Sequence, residues 1–552
     1  MKTLPDTVLK YSEYAVQEFL QTVVFIDDRI YERNSGSVAE PKKVPTPKQR
    51  RKVAKSAEKT ASESVVLDDP KESDEYSPHD IMISFAKKQI ICSLYEPKEN
   101  AKVSEHSDIF FLCLAADIVI VDWDMYGDRG NRALELIDGL ILQAIKDVPE
   151  QLRLILVYTQ EINLFDIANQ LYEKVSASIG ERLKPLKEEN GLVFHTLNSR
   201  IVILGKAGRV RSPEYSNYVV EAKDLADVAV KQFAKLASGL LHAAILFGLA
   251  GIRKNSRKIL SKFNVTLDPA FLTHRAMSLP EEDASTHIVP LLISEIESVL
   301  EDVLPTPLIS EQILRDWCRT VWQPCDHVDD LLGNNSPNKR TIAEAICLKG
   351  FKAAKTEYSQ IPNPNGNKNV RKAAKILLSG DDDKSNHLFS HLMASRTFYS
   401  KMQKSLKLGS IVYDKNGDRY FLCIQPVCDS VRLDNDKVFV FVQLTKTDPS
   451  SGNQASHVVV KEDTETIELF YQAKSYQCYV AIFSPDPHAK QVITRVSRKT
   501  GEQVFVDKSR RCYVWIDQLK PSHAQRAVEK FARDLSRVGL TESEWLRMLE
   551  KK

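Results

Sequence analysis

The chain lacks an excess of either charge, a cysteine framework and a hydrophobic run long enough for a membrane. Its 76 Lys and Arg and 74 Asp and Glu leave a net charge of +2 over 552 residues. That balance gives no global reason to expect nucleic acid, so any such contact would have to come from a local patch. The nine cysteines are an odd number, spread widely, with no pair at CxxC spacing. This argues against a disulfide scaffold and a structural zinc site, and for reduced thiols in a cytoplasmic protein. The opening residues MKTLPDTVLKYSEY lack the apolar centre of a signal peptide. The longest apolar stretch, 236–252, has 17 residues and includes Ser238 and His242. A span needs ~20 apolar residues, so a buried helix is expected here and no membrane partner. There is no P-loop, no HExxH, no internal repeat and no helix-turn-helix with a basic second helix.

What is present is the composition of a soluble globular chain, 43% hydrophobic and 27% charged, long enough for two to four domains. In the first part, short β-branched runs alternate with amphipathic stretches of ten or more residues. Strands are expected at 23–26, 90–94, 117–121, 152–158 and 201–204. Helices are expected at 6–20, 79–89, 105–115, 132–145 and 165–179, with another from about 218. Such alternation predicts right-handed βαβ crossovers and a five-stranded, doubly wound parallel sheet of flavodoxin type. About 34–78 interrupts the pattern. Residues 41–60 carry eight Lys and Arg against Glu58 alone, and 61–76 are acidic. Too few apolar groups are present to offset ordering entropy, so a disordered insertion is expected. A solvated loop is the plainer reading of its basic run, contact with nucleic acid or an acidic partner the sharper one.

From 223 to 407 the pattern is helical, with candidates at 226–252, 287–304, 309–321, 341–355, 370–378 and 385–398 and a Pro/Asn loop at 362–367. From 408 to 552 short strand-like runs follow at 410–413, 419–424, 438–444, 457–460, 466–469, 479–483, 503–505 and 512–515. Two helices, 524–536 and 542–550, close the chain. That spacing suggests a small barrel or sandwich. The expected division is therefore 1–222, 223–407 and 408–552.

In a doubly wound sheet, ligands bind beyond the carboxyl ends of the strands. The residues expected there are Asp27, Asp28, Asp122, Thr159 and Lys206. Three crowded carboxylates need a cation, and Mg²⁺ binds through one or two carboxylates plus phosphate oxygens. An Asp can accept a phosphoryl group. With Lys206 and Thr159 contacting further phosphoryl oxygens, the set offers the positioning and charge that phosphoryl transfer requires.

The strings VVFIDDRI, DIVIVDWDMYGD, ILVYT and VILGK resemble the receiver domain of two-component response regulators. The resemblance covers about 1–220. It implies that Asp27 and Asp28 bind Mg²⁺, Asp122 is phosphorylated, Asp124 lends its backbone carbonyl to the metal, and Thr159 and Lys206 assist. It also implies a phosphohistidine on a partner kinase as donor. The chain departs from the family at Ile203, where an aromatic is usual, at Ala207, where Pro is usual, and at Gln160, where a small residue is usual. The layout further resembles the receiver component of bacterial anti-phage two-component systems of the Detocs type. That resemblance implies a non-enzymatic phosphate sink, with a second receiver-bearing effector protein as a further partner.

Plainer readings stand beside these. Asp27 and Asp28 can simply form a turn, Asp122 can end a strand, and Lys206 can be a surface residue. Cys428 next to Asp429 reads as a buried structural cysteine before a nucleophile or metal ligand. Cys318, Cys325 and His327 match no metal spacing, and His242 reads as a satisfied core histidine. The rival functions are a pseudo-receiver scaffold, motivated by Ile203 and Ala207, and a DNA-binding regulator.

Overall fold

The computed structural model describes residues 5–30, 78–99, 103–104, 106–147, 151–180, 184–188, 190–196, 199–277, 288–305, 308–323, 328, 332, 339–362, 375–377, 383–399, 402–446, 456–462, 465–471, 477–535 and 549. The expected insertion at 34–78 apart from residue 78, the loop at 362–367 apart from residue 362, the last helix apart from residue 549, and Cys325 and His327 lie outside them. The chain divides into two compact units, Met1–Val321 and Trp322–Lys552.

In the first unit, helices α1 (Asp6–Phe19), α2 (Pro78–Ala86), α3 (Asp108–Ala115), α4 (Asn131–Asp147) and α5 (Leu164–Ile179) alternate with strands β1 (Thr22–Ile26), β2 (Ile91–Tyr95), β3 (Ile118–Val121) and β4 (Arg153–Thr159). A short hairpin, β5 (Leu186–Lys187) and β6 (Val193–Thr196), leads into β7 (Ser199–Lys206), and β8 (Val219–Val220) follows. The sheet order is β2-β1-β3-β4-β7-β6-β5, with β8 also on β7. Pairing is parallel from β2 through β7 and antiparallel only in the β5–β6–β7 extension. The five parallel strands are the expected doubly wound sheet, and the hairpin is an addition to it.

The apolar runs of β1, β3, β4 and β7 are buried on both faces, as central parallel strands must be. Alternate residues serve opposite cores. Phe25, Ile118, Ile120, Leu154 and Leu156 pack under α1 and α6 (Leu225–Leu236). Val24, Ile26, Val119, Val121 and Ile155 pack under α3, α4 and α5. These two layers fix the strand ends on which the polar residues sit.

Two helical expectations change. The helix expected from about 218 begins at Leu225, because 213–218 is a 3₁₀ turn followed by β8. The apolar run 236–252 is not one buried helix. It breaks at Gly239, whose φ of +137° suits only glycine, and continues as α7 (Leu240–Lys262). Ala243, Leu246 and Ala250 of α7 are buried while Leu241, Ile245 and Leu249 are exposed, so only one stripe faces the core. Helices α8 (Asp268–Met277), α9 (Ile288–Val303) and α10 (Glu311–Thr320) complete this unit. Among the described residues no helix is long and apolar enough to cross a membrane.

The second unit begins with helices Lys339–Glu357, kinked at Gly350, and Asp383–Ala394. An antiparallel half-barrel of seven strands follows, with order β14-β11-β10-β9-β17-β16-β15, and a separate β12–β13 ladder. Its strands are β9 (Ser410–Asp414), β10 (Arg419–Cys423), β11 (Lys437–Leu444), β12 (Ser456–Glu462), β13 (Glu465–Tyr471), β14 (Cys478–Phe483), β15 (Arg495–Val496), β16 (Gln503–Val506) and β17 (Cys512–Gln518). Helix Pro521–Leu535 covers one face, placing Ala524, Ala527 and Phe531 against Ile411, Leu422 and Leu444. The fold class is as expected: an α/β domain, a helical region, then a β-rich domain with a terminal helix.

Candidate functional site

The β1–β3 junction is where the parallel order reverses direction, and it opens a crevice at the carboxyl ends of the strands. Asp27 follows β1 and is fully buried, and Asp28 next to it is half-buried. Asp122 follows β3 and is nearly buried. One oxygen from each of the three lies within 4.8 Å of the others. Lys206, the last residue of β7, reaches into the group. Its Nζ donates to Asp27 Oδ2 at 2.6 Å and stands 3.3 Å from Asp122 Oδ1. Residues 179 positions apart are thus joined in one buried ion cluster.

Backbone contacts hold each carboxylate. Asp27 Oδ1 accepts from the Arg29 amide at 2.9 Å, so Asp27 begins a turn with the oxygen that does not face Lys206. Asp28 Oδ2 accepts from the Tyr126 amide at 2.6 Å, which ties the β1 loop to the β3 loop. The Asp122 amide donates to the Ile26 carbonyl at 2.8 Å, continuing the β1–β3 ladder to the acids themselves. Thr159, at the end of β4, is buried, and its hydroxyl accepts from the Glu161 amide at 3.1 Å. Asp124 Oδ1 accepts from the Arg129 amide at 2.7 Å, which holds the loop after β3 in a tight turn.

That turn depends on a glycine. Gly130 has φ +87°, and a Cβ there would stand 2.2 Å from the Trp123 ring. Trp123 is buried beneath the loop, so the loop carrying Asp124 closes only because position 130 has no side chain.

Three carboxylates against one ammonium leave a local charge of −2. Burial is the main cause that pushes the Asp122 carboxyl up to about 7. Lys206 pulls it down and Asp27 pushes it up further. Asp28 Oδ1 is buried with no hydrogen-bond partner. A divalent cation would offset the charge and satisfy that oxygen, and an all-oxygen donor set suits Mg²⁺ rather than a softer metal. The residues present therefore fit the ion.

Several neighbours had no sequence signal. Arg211 donates to the carbonyls of Thr159 (3.1 Å), Glu161 (2.9 Å) and Lys206 (2.5 Å), clamping the β4 and β7 ends together. The string RVRSP around it has no motif, and only the fold shows its reach. Tyr158 places its ring 5.6 Å from Lys206 Nζ and donates its hydroxyl to the Val220 carbonyl. Ile203 is buried within β7. The aromatic beside Lys206 thus comes from β4 rather than from β7.

The other described sequence candidates sit on other elements. Cys428 is exposed, not buried, because it sits in a 3₁₀ turn at the surface, and Cys423 on β10 is the buried thiol instead. Cys318 is buried on α10. His242 is half-buried at the start of α7, and burial lowers its pKa.

No curated protein and no solved structure matches the chain. Residues 19–211, about a third of its length, match the response receiver domain family. The span takes in β1 to β7 and all of Asp27, Asp28, Asp122, Thr159, Lys206 and Arg211. The first α/β domain is therefore a response receiver domain, typically a non-enzymatic signalling module whose general partner is a histidine kinase.

Proposed function

We propose that the chain is a response-regulator-type signalling protein that accepts a phosphoryl group on Asp122 from a histidine kinase. The observation that carries this is the convergence of Asp27, Asp28, Asp122 and Lys206 within bonding reach at the carboxyl edge of the sheet. In the transfer, the phosphorus–nitrogen bond of a phosphohistidine breaks and a phosphorus–oxygen bond to the Asp122 carboxylate forms. The imidazole leaves with the electron pair. Asp27, Asp28, Asp122 and the Asp124 carbonyl would hold Mg²⁺, which supplies positive charge to the transferring oxygens. Lys206 is placed to exchange part of its contact with Asp27 and Asp122 for a phosphoryl oxygen, and the Thr159 hydroxyl to donate to another. Burial of the acids excludes bulk water, which slows loss of the acyl phosphate.

The finer reading is a cytoplasmic phosphate sink that restrains an anti-phage system, with a second receiver-bearing effector as partner. It is supported by the layout resemblance and by the absence of any effector motif in the sequence. The division at about 222 and 407 goes with it, leaving the helical and β-rich regions for partner contacts. The pseudo-receiver alternative rests on the two departures near Lys206, Ile203 in place of the usual aromatic and Ala207 in place of the usual Pro.

Labelling the full chain with acetyl phosphate or a histidine kinase, followed by phosphate-affinity electrophoresis, tests the proposal. The wild type is expected to shift only with Mg²⁺, and Asp122→Asn not to shift. A wild type that no donor shifts, or an Asp122→Asn variant that shifts equally, refutes phosphorylation at this residue; the first result favours the scaffold.

A further inference from the structure

Helix α9 lies antiparallel along α7, with Leu300 and Val303 seated on Gly248 and Gly251, where any Cβ would crowd them. Towards the other end of this pair, around the end of α7, α8 and the start of α9, burial fails. Neither α8 nor α9 has a single buried residue. An isolated helix shorter than ~12–15 residues is marginal in water, and α8 has ten. The first turns of α9, IVPLLI, are apolar on every side, and a helix apolar all round is ordinarily enclosed.

Eleven large apolar side chains between 260 and 293 are exposed, among them Leu260 at 71%, Leu272 at 58%, Met277 at 78%, Val289 at 58% and Leu292 at 44%. Together they leave on the order of 1,000 Å² open, beyond the ~300–600 Å² of the largest patch on a typical monomer. This is the scale of the ~800 Å² that each partner of a standard interface buries.

The charges at the same end are divided by helix. Arg257, Lys258 and Lys262 lie on α7, and Glu295 and Glu297 on α9. Within the chain Lys262 reaches Glu295 at 2.5 Å. A two-fold axis between copies would set each basic α7 against the partner's acidic α9 and enclose the apolar surface between them.

We propose that this helical tip is the surface through which a second copy of the chain binds, forming a two-fold antiparallel helical assembly. It is independent of whether Asp122 is phosphorylated.

Sedimentation of the full chain over a concentration series reads the association. The wild type is expected to dimerise, and Leu292→Glu to weaken the dimer at least tenfold with an unchanged far-UV spectrum. Met277→Glu, on the other helix, gives the same reading should the first variant not fold. Ile245→Glu, also exposed on α7 but away from the tip, is expected to leave the dimer intact. Reversal of charge by Lys258→Glu should weaken association, and adding Glu297→Lys should restore it in part. A wild type that stays monomeric at every concentration overturns the proposal. So does a Leu292→Glu and Met277→Glu pair that dimerises like the wild type, or an Ile245→Glu control that loses the dimer equally.

Discussion

Lys206→Met is the most informative perturbation of the acid pocket. Methionine keeps the aliphatic stem against Tyr158 and removes only the ammonium. Lys206 Nζ is 2.6 Å from a carboxylate with no exposed surface and 3.3 Å from another that is 9% exposed. Removing one partner of such a buried pair costs about 3–5 kcal/mol, because the remaining charge is left uncompensated. The lower end, ~3 kcal/mol, applies here, since the Asp122 carboxyl is already pushed up to about 7 and can take up a proton instead. For a domain of this size that corresponds to a fall of roughly 6–12 °C in melting temperature. Once a divalent ion displaces that proton, the variant presents three carboxylates and no ammonium, −3 where the wild type has −2, so the ion should recover much of the loss. The assay is thermal unfolding of wild type and variant in chelator and in millimolar Mg²⁺. The gap between them should be wide in chelator and shrink by half or more with Mg²⁺. A gap that Mg²⁺ leaves unchanged, or one under about 2 °C in chelator, would refute the electrostatic reasoning.

Mg²⁺ affinity should fall as pH drops below about 7, by up to roughly tenfold per unit, because the ion must displace the proton from Asp122. Calorimetry in two buffers of different ionisation enthalpy should therefore detect proton release, and its absence at pH 6 would show Asp122 already ionised. The same raised carboxyl gives the metal-free protein a stability increment that is fully present below the ordinary value of 3.8 and is lost as pH rises through about 7. Gly130→Ala should destabilise the first unit by about 2 kcal/mol or more, since it combines a positive φ with a Cβ 2.2 Å from the Trp123 ring. A variant melting like wild type would mean the loop moves freely off Trp123.

The parallel sheet was legible because its central strands are short, continuous apolar runs that end on polar residues. VVFI before Asp27 and IVIV before Asp122 announce both their burial and their polar ends. The acid pocket was legible for the same reason, since a doubly wound topology has only one edge at which those ends meet. The β5–β6 hairpin was not. Leu186–Lys187 and Val193–Thr196 are too short to show a period, and their pairing is held by a tertiary network instead. In it Glu188 accepts from the buried Arg200 at 2.6 Å and lies 2.9 Å from His195, contacts that hold its carboxyl well below the usual range. The break at Gly239 was hidden because the run around Ser238 and Gly239 is otherwise apolar except for His242, and reads as one hydrophobic segment. Arg211 was invisible because its partners are backbone carbonyls, which carry no side-chain signature.

The acid pocket is held together by the sheet more than by its own contacts. Without a cation, three carboxylates share one ammonium, and one buried oxygen of Asp28 has no partner. That arrangement survives because the two apolar layers around β1, β3, β4 and β7 leave the strand ends nowhere else to go. Residues placed against their own electrostatic preference mark a site kept for chemistry rather than for stability. It follows that Asp122→Asn, which removes one of the crowded charges and keeps the shape, should melt no lower than the wild type in chelator. Loss of labelling in that variant would then report the missing phosphoacceptor and not a damaged fold. A variant that melts several degrees lower would show instead that the Asp122 contacts with Lys206 outweigh its burial and its repulsion by Asp27.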